Sequence, residues 1–339
     1  MKSWKPSYMR SEKPRILWIV CGGILFCLLV GLMSLCLGTI YLSPAKVIHL
    51  FLGAGERIER SILLYARLPR TLAALFSGAA LAVSGAVLQT VLGNRLASPG
   101  IIGVNAGAGL GVTLCLAAGT FSGLAISYAA FLGSLITVFL IFLFSYRTNV
   151  AKTTVILGGV ALNSIWNAIA ESVTVLDPEI GALSIDFRVG GFSAVSYARL
   201  LPAILLISFA LAAIFTLCNE LDVVALGEET ALSLGMAVKK YRLIFLALTA
   251  LLSGAAVSFA GLLGFVGLIV PHFVRRFSGN ESRRFLPLSA FFGAGFVAFC
   301  DTVSRLIFAP YELPVGILMS VIGGPVFFLM LIKSRRDID

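Results

Sequence analysis

Long stretches without a charged residue are the feature that most restricts how this chain can fold. Each lacks Asp, Glu, Lys and Arg over at least the roughly 20 residues that a helix needs to cross the hydrocarbon core of a bilayer. They cover residues 16–42, 71–94, 96–146, 200–219, 243–274 and 313–332. Because lipid offers the backbone no hydrogen-bond partners, such runs predict an all-α protein that crosses a membrane several times.

Glycines and prolines divide the longer runs, and the division predicts ten crossings. The predicted crossings are 16–42, 71–92, 100–119, 122–145, 152–175, 196–218, 242–262, 265–277, 285–308 and 313–332. The eighth is short and contains Pro271, so nine crossings is the alternative. Only 12% of the residues are charged, about half the share in soluble domains. We therefore predict one transmembrane domain over residues 1–339, without a soluble module.

A basic leader, residues 1–15, precedes the first apolar run. That run is too long for the apolar part of a cleavable signal peptide, and no small-residue cleavage site follows it. We predict that it stays in the protein as the first helix. The six cysteines lie in or beside apolar runs without a CxxC pair, so we interpret them as packing residues.

The distribution of basic residues predicts the orientation in the membrane. With the leader and both termini cytoplasmic, eight of the 26 Lys and Arg residues fall outside and 18 fall inside. The eight are Lys46, Arg57, Arg60, Arg67, Arg70, Arg188, Arg199 and Arg305. The net charge of +10 then reflects topology, and no nucleic-acid partner is expected.

A polar segment, residues 219–241, lies between the sixth and seventh predicted crossings and would be cytoplasmic. Apolar residues recur at helical spacing in each half: Leu221, Val224 and Ala225 in the first, Ala231, Leu234 and Val238 in the second. Gly227 and Gly235 follow the two halves as helix-ending residues. The pattern predicts two short surface helices, which would give another protein a place to act on the membrane domain.

One internal similarity suggests an inverted repeat. Residues 75–85, LFSGAALAVSG, resemble residues 251–261, LLSGAAVSFAG, and the two predicted crossings run in opposite directions. Inverted repeats are typical of transporters, whereas chance similarity between two Gly/Ala-rich helices is the alternative. Gly103, Gly107 and Gly111 also share a face at four-residue spacing, which favours close helix packing within the monomer or, alternatively, at a subunit interface.

Few ionisable residues fall within the predicted crossings. Glu171, His272 and Asp301 are the candidates, and each lies toward the end of a crossing. Asp301 and Arg305 are four residues apart, so we predict that they pair. The chain has no P-loop, no cluster typical of a metal site and no nucleophile–base set. We expect neither an enzyme nor a resident cofactor; any ATP and Mg²⁺ would belong to a partner.

Arginines at the outer face are unusual because that side is normally poor in positive charge. Arg67 and Arg70 stand where the second crossing begins, and Arg305 stands near the end of the ninth. They could extend toward lipid phosphates. They could instead form a cationic patch that docks an acidic partner, since guanidinium pairs bidentately with carboxylate.

The chain resembles the FecCD-type permease subunits of bacterial ABC importers for iron–siderophore complexes, haem and vitamin B12, which are type II importer permeases. The resemblance rests on motifs in order along nearly the whole chain. They are ARLPRTLAALFSGAALAVSGAVLQ (66–89), NRLASPGIIGVNAGAGLG (94–111), LGGVALN (157–163), VVALGEETALSLGM (223–236), GFVGLIVPHFVRR (264–276) and ELPVGILMSVIGGPVF (312–327).

The resemblance implies a ten-helix subunit that pairs with a second permease copy or a related permease in the cytoplasmic membrane. It further implies a cytoplasmic ABC ATPase dimer, which would hold ATP and Mg²⁺, and an extracytoplasmic substrate-binding protein. The implied ATPase-coupling residues are Leu226, Gly227, Glu228, Thr230, Ala231, Leu234 and Gly235. Arg67, Arg70 and Arg305 would dock the binding protein, and Lys152, Thr153 and Thr154 would lie at a cytoplasmic gate.

These expectations predict a permease that moves a chelated iron compound inward by alternating access, with ATP hydrolysis on a separate subunit. A siderophore complex is the preferred cargo, with haem or cobalamin as alternatives. An ion-gradient-coupled secondary transporter is the competing hypothesis, disfavoured by the scarcity of ionisable residues in the crossings. A membrane scaffold or sensor without substrate flux is the other.

Overall fold

The computed structural model describes residues 12–38, 40–53, 55–148 and 152–336, and all regular structure in these ranges is helical. The predicted all-α fold is confirmed. The α-helices are α1 (Glu12–Cys36), α2 (Pro44–Phe51), α3 (Arg57–Ser61), α4 (Leu68–Leu92), α5 (Val104–Ala117), α6 (Gly123–Thr148), α7 (Lys152–Leu176), α8 (Pro178–Val189), α9 (Tyr197–Thr216), α10 (Cys218–Ala225), α11 (Glu228–Ser233), α12 (Val238–Ala260), α13 (Val266–Ser278), α14 (Ser282–Ile307) and α15 (Val315–Arg336). Most of the leader, residues 1–11, lies outside the described residues.

A helix occupies each predicted crossing, in the order α1, α4, α5, α6, α7, α9, α12, α13, α14 and α15. Within the described ranges, six helical segments are long and apolar enough to cross a membrane by length and composition. Helices α5 and α13, with 14 and 13 residues, rise only about 20 Å at 1.5 Å per residue. The residues of the loops before them, 97–103 and 261–265, are all buried or half-buried, which is the condition that non-helical backbone must meet at membrane depth.

Three outer elements were not predicted from the sequence. The first crossing ends at Cys36 rather than at residue 42, and α2 follows it. Two of the missed helices, α2 and α8, begin with an N-cap residue followed by proline, and in each the cap side chain accepts a backbone hydrogen bond: Ser43 from Lys46, Asp177 from Glu179. Ser-Pro and Asp-Pro at these places are signals that could have predicted both helices.

The second crossing also begins earlier than predicted. Helix α3 continues through a π-helical stretch, Ile62–Arg67, directly into α4, so one helical segment runs over Arg57–Leu92. The Tyr197 hydroxyl at the start of α9 donates a 2.6 Å hydrogen bond to the Leu64 carbonyl within the π stretch. Such insertions change the direction in which the following side chains point, and this one ends at Arg67.

Helix α4 lies at the centre of the fold and packs against α12, α13 and α14. Its small residues allow this: a Cβ on Gly78 would overlap the backbone of Gly293 in α14, and one on Gly85 would overlap the backbone of Gly267 in α13. Close backbone approach at small residues is the usual way in which membrane helices associate. The core therefore depends on shape more than on large side chains.

The two copies of the repeated segment make corresponding contacts. Residues 75–85 belong to α4, which packs along α14, and residues 251–261 begin in α12, which packs along α6. Gly78 faces α14, and its counterpart Gly254 faces Phe131 of α6. The inverted repeat stays a prediction, with chance similarity between two Gly/Ala-rich helices as the alternative.

The glycines of α5 pack within the monomer, which is the interpretation that the sequence analysis put before a subunit interface. A Cβ on Gly107 would lie 2.5 Å from the carbonyl oxygen of Gly133 in α6, and one on Gly111 would overlap the carbonyl of Ala129. Gly103 has left-handed backbone, with φ of 84°, and stands at the N-cap of α5. The first member of the predicted face is thus a turn residue rather than part of the helix surface.

Contacts between helix ends agree with the predicted alternation of crossings. The start of α4 and the end of α14 meet through Arg70 and Asp301, at the predicted outer side. At the predicted inner side, Asp222 in α10 accepts a hydrogen bond from the backbone of Ser282, where α14 begins. Charged side chains that meet across helices therefore lie at the two ends of the bundle.

Candidate functional site

The polar segment forms a helical hairpin, α10–α11, at the predicted cytoplasmic side. Helix α10 ends at Ala225, and Gly227 follows with φ of 103°; α11 ends at Ser233, and Gly235 follows with φ of 78°. Only glycine adopts such backbone without strain. The two predicted helix-ending glycines are confirmed: Gly227 allows the turn between α10 and α11, and Gly235 allows the turn between α11 and α12.

One side of this hairpin is anchored in the protein. Leu221, Val224 and Ala231 are buried, and a hydrogen bond of 3.0 Å from the Met236 backbone to the Ala231 carbonyl ties the end of α11 to its middle. These contacts hold α10 and α11 against the membrane domain. The hairpin is therefore a fixed element of the surface.

The other side presents apolar residues to the outside. The side chains of Leu226, Leu232 and Leu234 are about 60% exposed, and Glu228, Glu229 and Thr230 beside them are exposed as well. We call Leu226, Leu232 and Leu234 the leucine patch. Isolated exposed leucines need no explanation, but three exposed leucines on one anchored hairpin are typical of a protein-binding surface.

One detail of the sequence interpretation is wrong. Ala231, Leu234 and Val238 were expected to share one helical face, but α11 ends before Leu234, and Val238 begins α12. Ala231 and Val238 are buried, whereas Leu234 points outward. The break at Gly235 separates them, so Leu234 belongs to the exposed patch rather than to the anchor.

Two polar contacts connect the hairpin to long helices. Glu228, the first residue of α11, forms a 2.8 Å ion pair with Arg242 of α12. Asp222 of α10 caps the start of α14 by accepting a 2.9 Å hydrogen bond from the Ser282 backbone, as carboxylates commonly do at helix N-termini. Both α12 and α14 pack on the central α4, so the hairpin is coupled directly to the core of the bundle.

Of the outer arginines, Arg67 and Arg305 bind the end of α1. Arg67 donates hydrogen bonds to the carbonyls of Leu35, Cys36 and Ile40, and Arg305 donates to the carbonyls of Ser34 and Leu37. Both arginines are 95% buried. The last carbonyls of a helix lack partners within the helix, and the two guanidinium groups supply them. This structural role was not foreseen from the sequence.

The third outer arginine, Arg70, forms an ion-pair network. It binds Asp301 at 3.0 Å and Glu312 at 2.6 Å, while Asp301 also binds Arg305 at 3.3 Å. The predicted pairing of Asp301 with Arg305 is confirmed, although Asp301 binds Arg70 as well. Asp301 is fully buried and Glu312 is 40% exposed. Docking of an acidic partner by the three arginines stays a prediction, and among them Arg70 pairs, within the described residues, with an exposed carboxylate, that of Glu312.

The predicted gate lies at the start of α7. Lys152 is the first residue of that helix, and the side chains of Lys152 and Thr153 lie outside the described residues. Thr154 is half-buried. Nearby, α7 packs closely on the loop before α5, where a Cβ on Gly159 would lie 2.8 Å from the Cα of Ile102. The gate assignment stays a prediction.

Comparison with known proteins places the fold and these elements in a family. Residues 25–333 match the FecCD transport family, and the chain belongs to it. The chain is 34% identical over 340 residues to the iron(3+)-hydroxamate import system permease protein FhuG of Bacillus subtilis (strain 168), covering 96% of this chain and 99% of the relative. It is also 34% identical over 332 residues to the vitamin B12 import system permease protein BtuC of Escherichia coli O9:H4 (strain HS), covering 96% and 98%.

Solved structures show the same architecture. A metal-chelate type ABC transporter in an inward-facing conformation superposes with a TM-score of 0.83 and 28% identity, over 93% of this chain and 99% of that one. PsaBC from Streptococcus pneumoniae, with a TM-score of 0.57 and 17% identity, shares the fold. The protein is thus a multi-pass membrane protein of the FecCD transport family, with the fold of a type II importer permease.

Proposed function

We propose that this protein is the membrane-spanning subunit of an ABC importer that moves a chelated iron compound inward across the cytoplasmic membrane. The proposal rests on family membership together with the names of its relatives, which are permeases for ferric hydroxamate and for vitamin B12. A ferric siderophore is the preferred cargo, and haem and cobalamin are the alternatives.

The observation that carries the proposal is the α10–α11 hairpin. It combines an exposed leucine patch with a buried, hydrogen-bonded anchor, and it lies on the side predicted to be cytoplasmic. An ATPase that held the patch could pull on α12 through the Glu228–Arg242 ion pair and on α14 through Asp222. We propose that Leu226, Gly227, Glu228, Thr230, Ala231, Leu234 and Gly235 form this coupling element, with Ala231 anchoring it rather than touching the partner.

ATPase closure would then be converted into movement of the bundle. Rigid-body movement of packed elements is a common way to switch a transporter between two states. In the proposed cycle, α12 and α14 move with the hairpin, a second permease copy or related permease completes the path, and Lys152–Thr154 act at its cytoplasmic gate. The substrate-binding protein delivers cargo from the other side.

The outer arginines have a more limited part in this proposal. Arg67 and Arg305 would support docking indirectly, by holding the end of α1. Arg70 would act by exchange: a carboxylate of the binding protein replaces Glu312, which is the exposed member of its network.

The test is ATP-driven uptake by the permease reconstituted with the ABC ATPase that copurifies with it. Leu226→Asp and Leu234→Asp place charge in the patch without changing a buried contact, so they are expected to abolish uptake and ATPase copurification while the protein stays monodisperse. Leu183→Asp, at a similarly exposed leucine of α8, is the matched control and should retain ATPase binding. Full uptake by both patch variants would contradict the proposal.

The same vesicles distinguish the competing functions. A secondary transporter would lose uptake when ionophores collapse the ion gradients and would keep it without ATP; we expect the opposite. A scaffold or sensor would show no flux at all. Presenting labelled ferric siderophores, haem and cobalamin in parallel identifies the cargo.

A further inference from the structure

Within the part of the chain that the structure describes, Arg199, at the outer start of α9, has no anionic partner. Among the described residues its guanidinium makes neither an ion pair nor a hydrogen bond, although the side chain is half-buried. It lies directly against Gly123, the first residue of α6, where a Cβ would overlap the guanidinium. The absence of a side chain at Gly123 is what allows the two to meet.

This contact brings two positive groups together. The first turn of a helix carries free N–H donors and about half a positive charge, and α6 is 26 residues long. Placing an unpaired guanidinium there is unfavourable unless an anion binds both. The local electrostatics therefore point to a negatively charged ligand.

A second polar group at the same place also lacks a partner. Ser127, one turn further along α6, is 7% exposed, and its buried hydroxyl oxygen has no hydrogen-bond partner among the described residues. Buried hydroxyls are almost always hydrogen-bonded. Ser127 and Arg199 line the same cavity, so both could bind one ligand.

That cavity is otherwise apolar. Its volume is about 300 Å³, and it lies between α6, α9 and α12, with walls formed mainly by Leu124, Tyr128, Phe131, Leu132, Pro202 and Leu206. Within their spans, α6 and α9 are only 33% and 28% buried, against 72% for α12. Two of the three helices that line the groove are therefore largely exposed along their spans.

Neighbouring charges do not account for Arg199. An adjoining cavity is lined by Arg70, Asp186 and Glu312 as well as by Arg199. Glu312 is bound to Arg70, and Asp186 forms no ion pair with Arg199 in the structure. A change of rotamer that brings Asp186 to Arg199 is the competing explanation.

We propose that this groove binds an anionic phospholipid of the outer leaflet. Its phosphate accepts hydrogen bonds from Arg199 and Ser127, and an acyl chain lies along the apolar groove between α6, α9 and α12. A phosphate group matches the fork of a guanidinium. A zwitterionic lipid would bring its own ammonium group toward Arg199 and the positive end of α6, so the site should select lipids of net negative charge.

The proposal can be tested by native mass spectrometry on the delipidated full-length protein. Phosphatidylglycerol and phosphatidylcholine with identical acyl chains are titrated in parallel. The wild type should prefer phosphatidylglycerol by about tenfold or more, the size expected for a hydrogen-bonded charge pair.

Arg199→Gln should remove the preference, Arg199→Lys should retain part of it, and Gly123→Ala should weaken it by displacing the guanidinium. Arg188→Gln, at an exposed arginine of α8, is the matched control and should change nothing.

Three outcomes would overturn the proposal. One is equal binding of the two lipids to the wild type, and another is an unchanged preference in Arg199→Gln. The third is competition by inorganic phosphate at the affinity of the lipid, which would indicate a site for a free anion. Asp186→Asn distinguishes the lipid site from an Arg199–Asp186 ion pair. If Arg199 binds lipid, the variant should keep the wild-type preference for phosphatidylglycerol. If Arg199 pairs with Asp186, loss of the pair should increase anion binding above that of the wild type.

Discussion

The two ends of the bundle differ in which residues they bury and which they expose. At the outer end, Arg67 and Arg305 are buried and Asp301 is buried between two arginines, so most of the charge is satisfied within the chain. At the end predicted to be cytoplasmic, the hairpin exposes Leu226 and Leu234 and carries its glutamates at the surface. The first arrangement stabilises one conformation, whereas the second leaves binding energy available to a partner.

This contrast shows that the type of a residue does not by itself indicate its role. An arginine at a membrane boundary suggests an interface, yet two of the outer three act as caps for α1. A leucine in an apolar chain suggests core or lipid contact, yet three leucines of the hairpin are exposed at the end predicted to be cytoplasmic. The burial of each group, rather than its type, indicates whether a partner is needed.

The largest effect is expected from breaking the outer network. Asp301→Leu leaves Arg70 and Arg305 buried without their shared carboxylate, and loss of one member of a buried pair typically costs about 3–5 kcal/mol. We expect a clearly lower midpoint temperature of thermal unfolding in detergent, measured by tryptophan fluorescence. Glu312→Gln is the control: Glu312 is 40% exposed, and its loss should cost about 0–1 kcal/mol. Equal midpoint temperatures for Asp301→Leu and Glu312→Gln would show that the buried network is not stabilising.

A smaller and more specific effect is expected at the anchor of the hairpin. Glu228→Arg places two cations together at Arg242 and should uncouple ATP hydrolysis from uptake without preventing membrane insertion. The charge swap Glu228→Arg with Arg242→Glu restores an ion pair across α11 and α12, so uptake should recover in large part. If uptake stays absent after the swap, Glu228 contacts the ATPase directly and its pairing with Arg242 is not its main role.

The smallest effect is expected from Glu312→Gln on docking. If a carboxylate of the binding protein exchanges with Glu312 on Arg70, removing the internal competitor should tighten binding by up to about fivefold, the range of an exposed ion pair. The measurement is the affinity of the binding protein for the reconstituted permease, repeated with added salt, which should weaken it. Weaker binding in this variant would count against the exchange.

The sequence predicted most of what periodicity and charge determine. The ten helices, their order, the packing role of Gly107 and Gly111 and the glycines that end α10 and α11 all follow from local rules. The short outer helices were missed because apolar length, not capping, was used to find them, although Ser43-Pro44 and Asp177-Pro178 carried the signal.

Contacts between distant residues could not be predicted in this way. The binding of Arg67 to Leu35, and of Arg70 to Asp301, joins residues far apart in the chain, and neither spacing nor residue type indicates it. The coupling residues were assigned by resemblance alone. The structure separates them physically into the buried Ala231, the anchoring Glu228 and the exposed leucines.

In the proposed mechanism, the ATPase acts on this permease through the leucine patch. Site-specific photocrosslinking in native membranes tests this contact, with the crosslinking residue placed at Leu226 or Leu234 and, as a control, at Leu183 of α8. We expect adducts with an ABC ATPase from positions 226 and 234 and none from position 183. Absence of an ATPase adduct at both hairpin positions, with adducts obtained from another part of the protein, would contradict it.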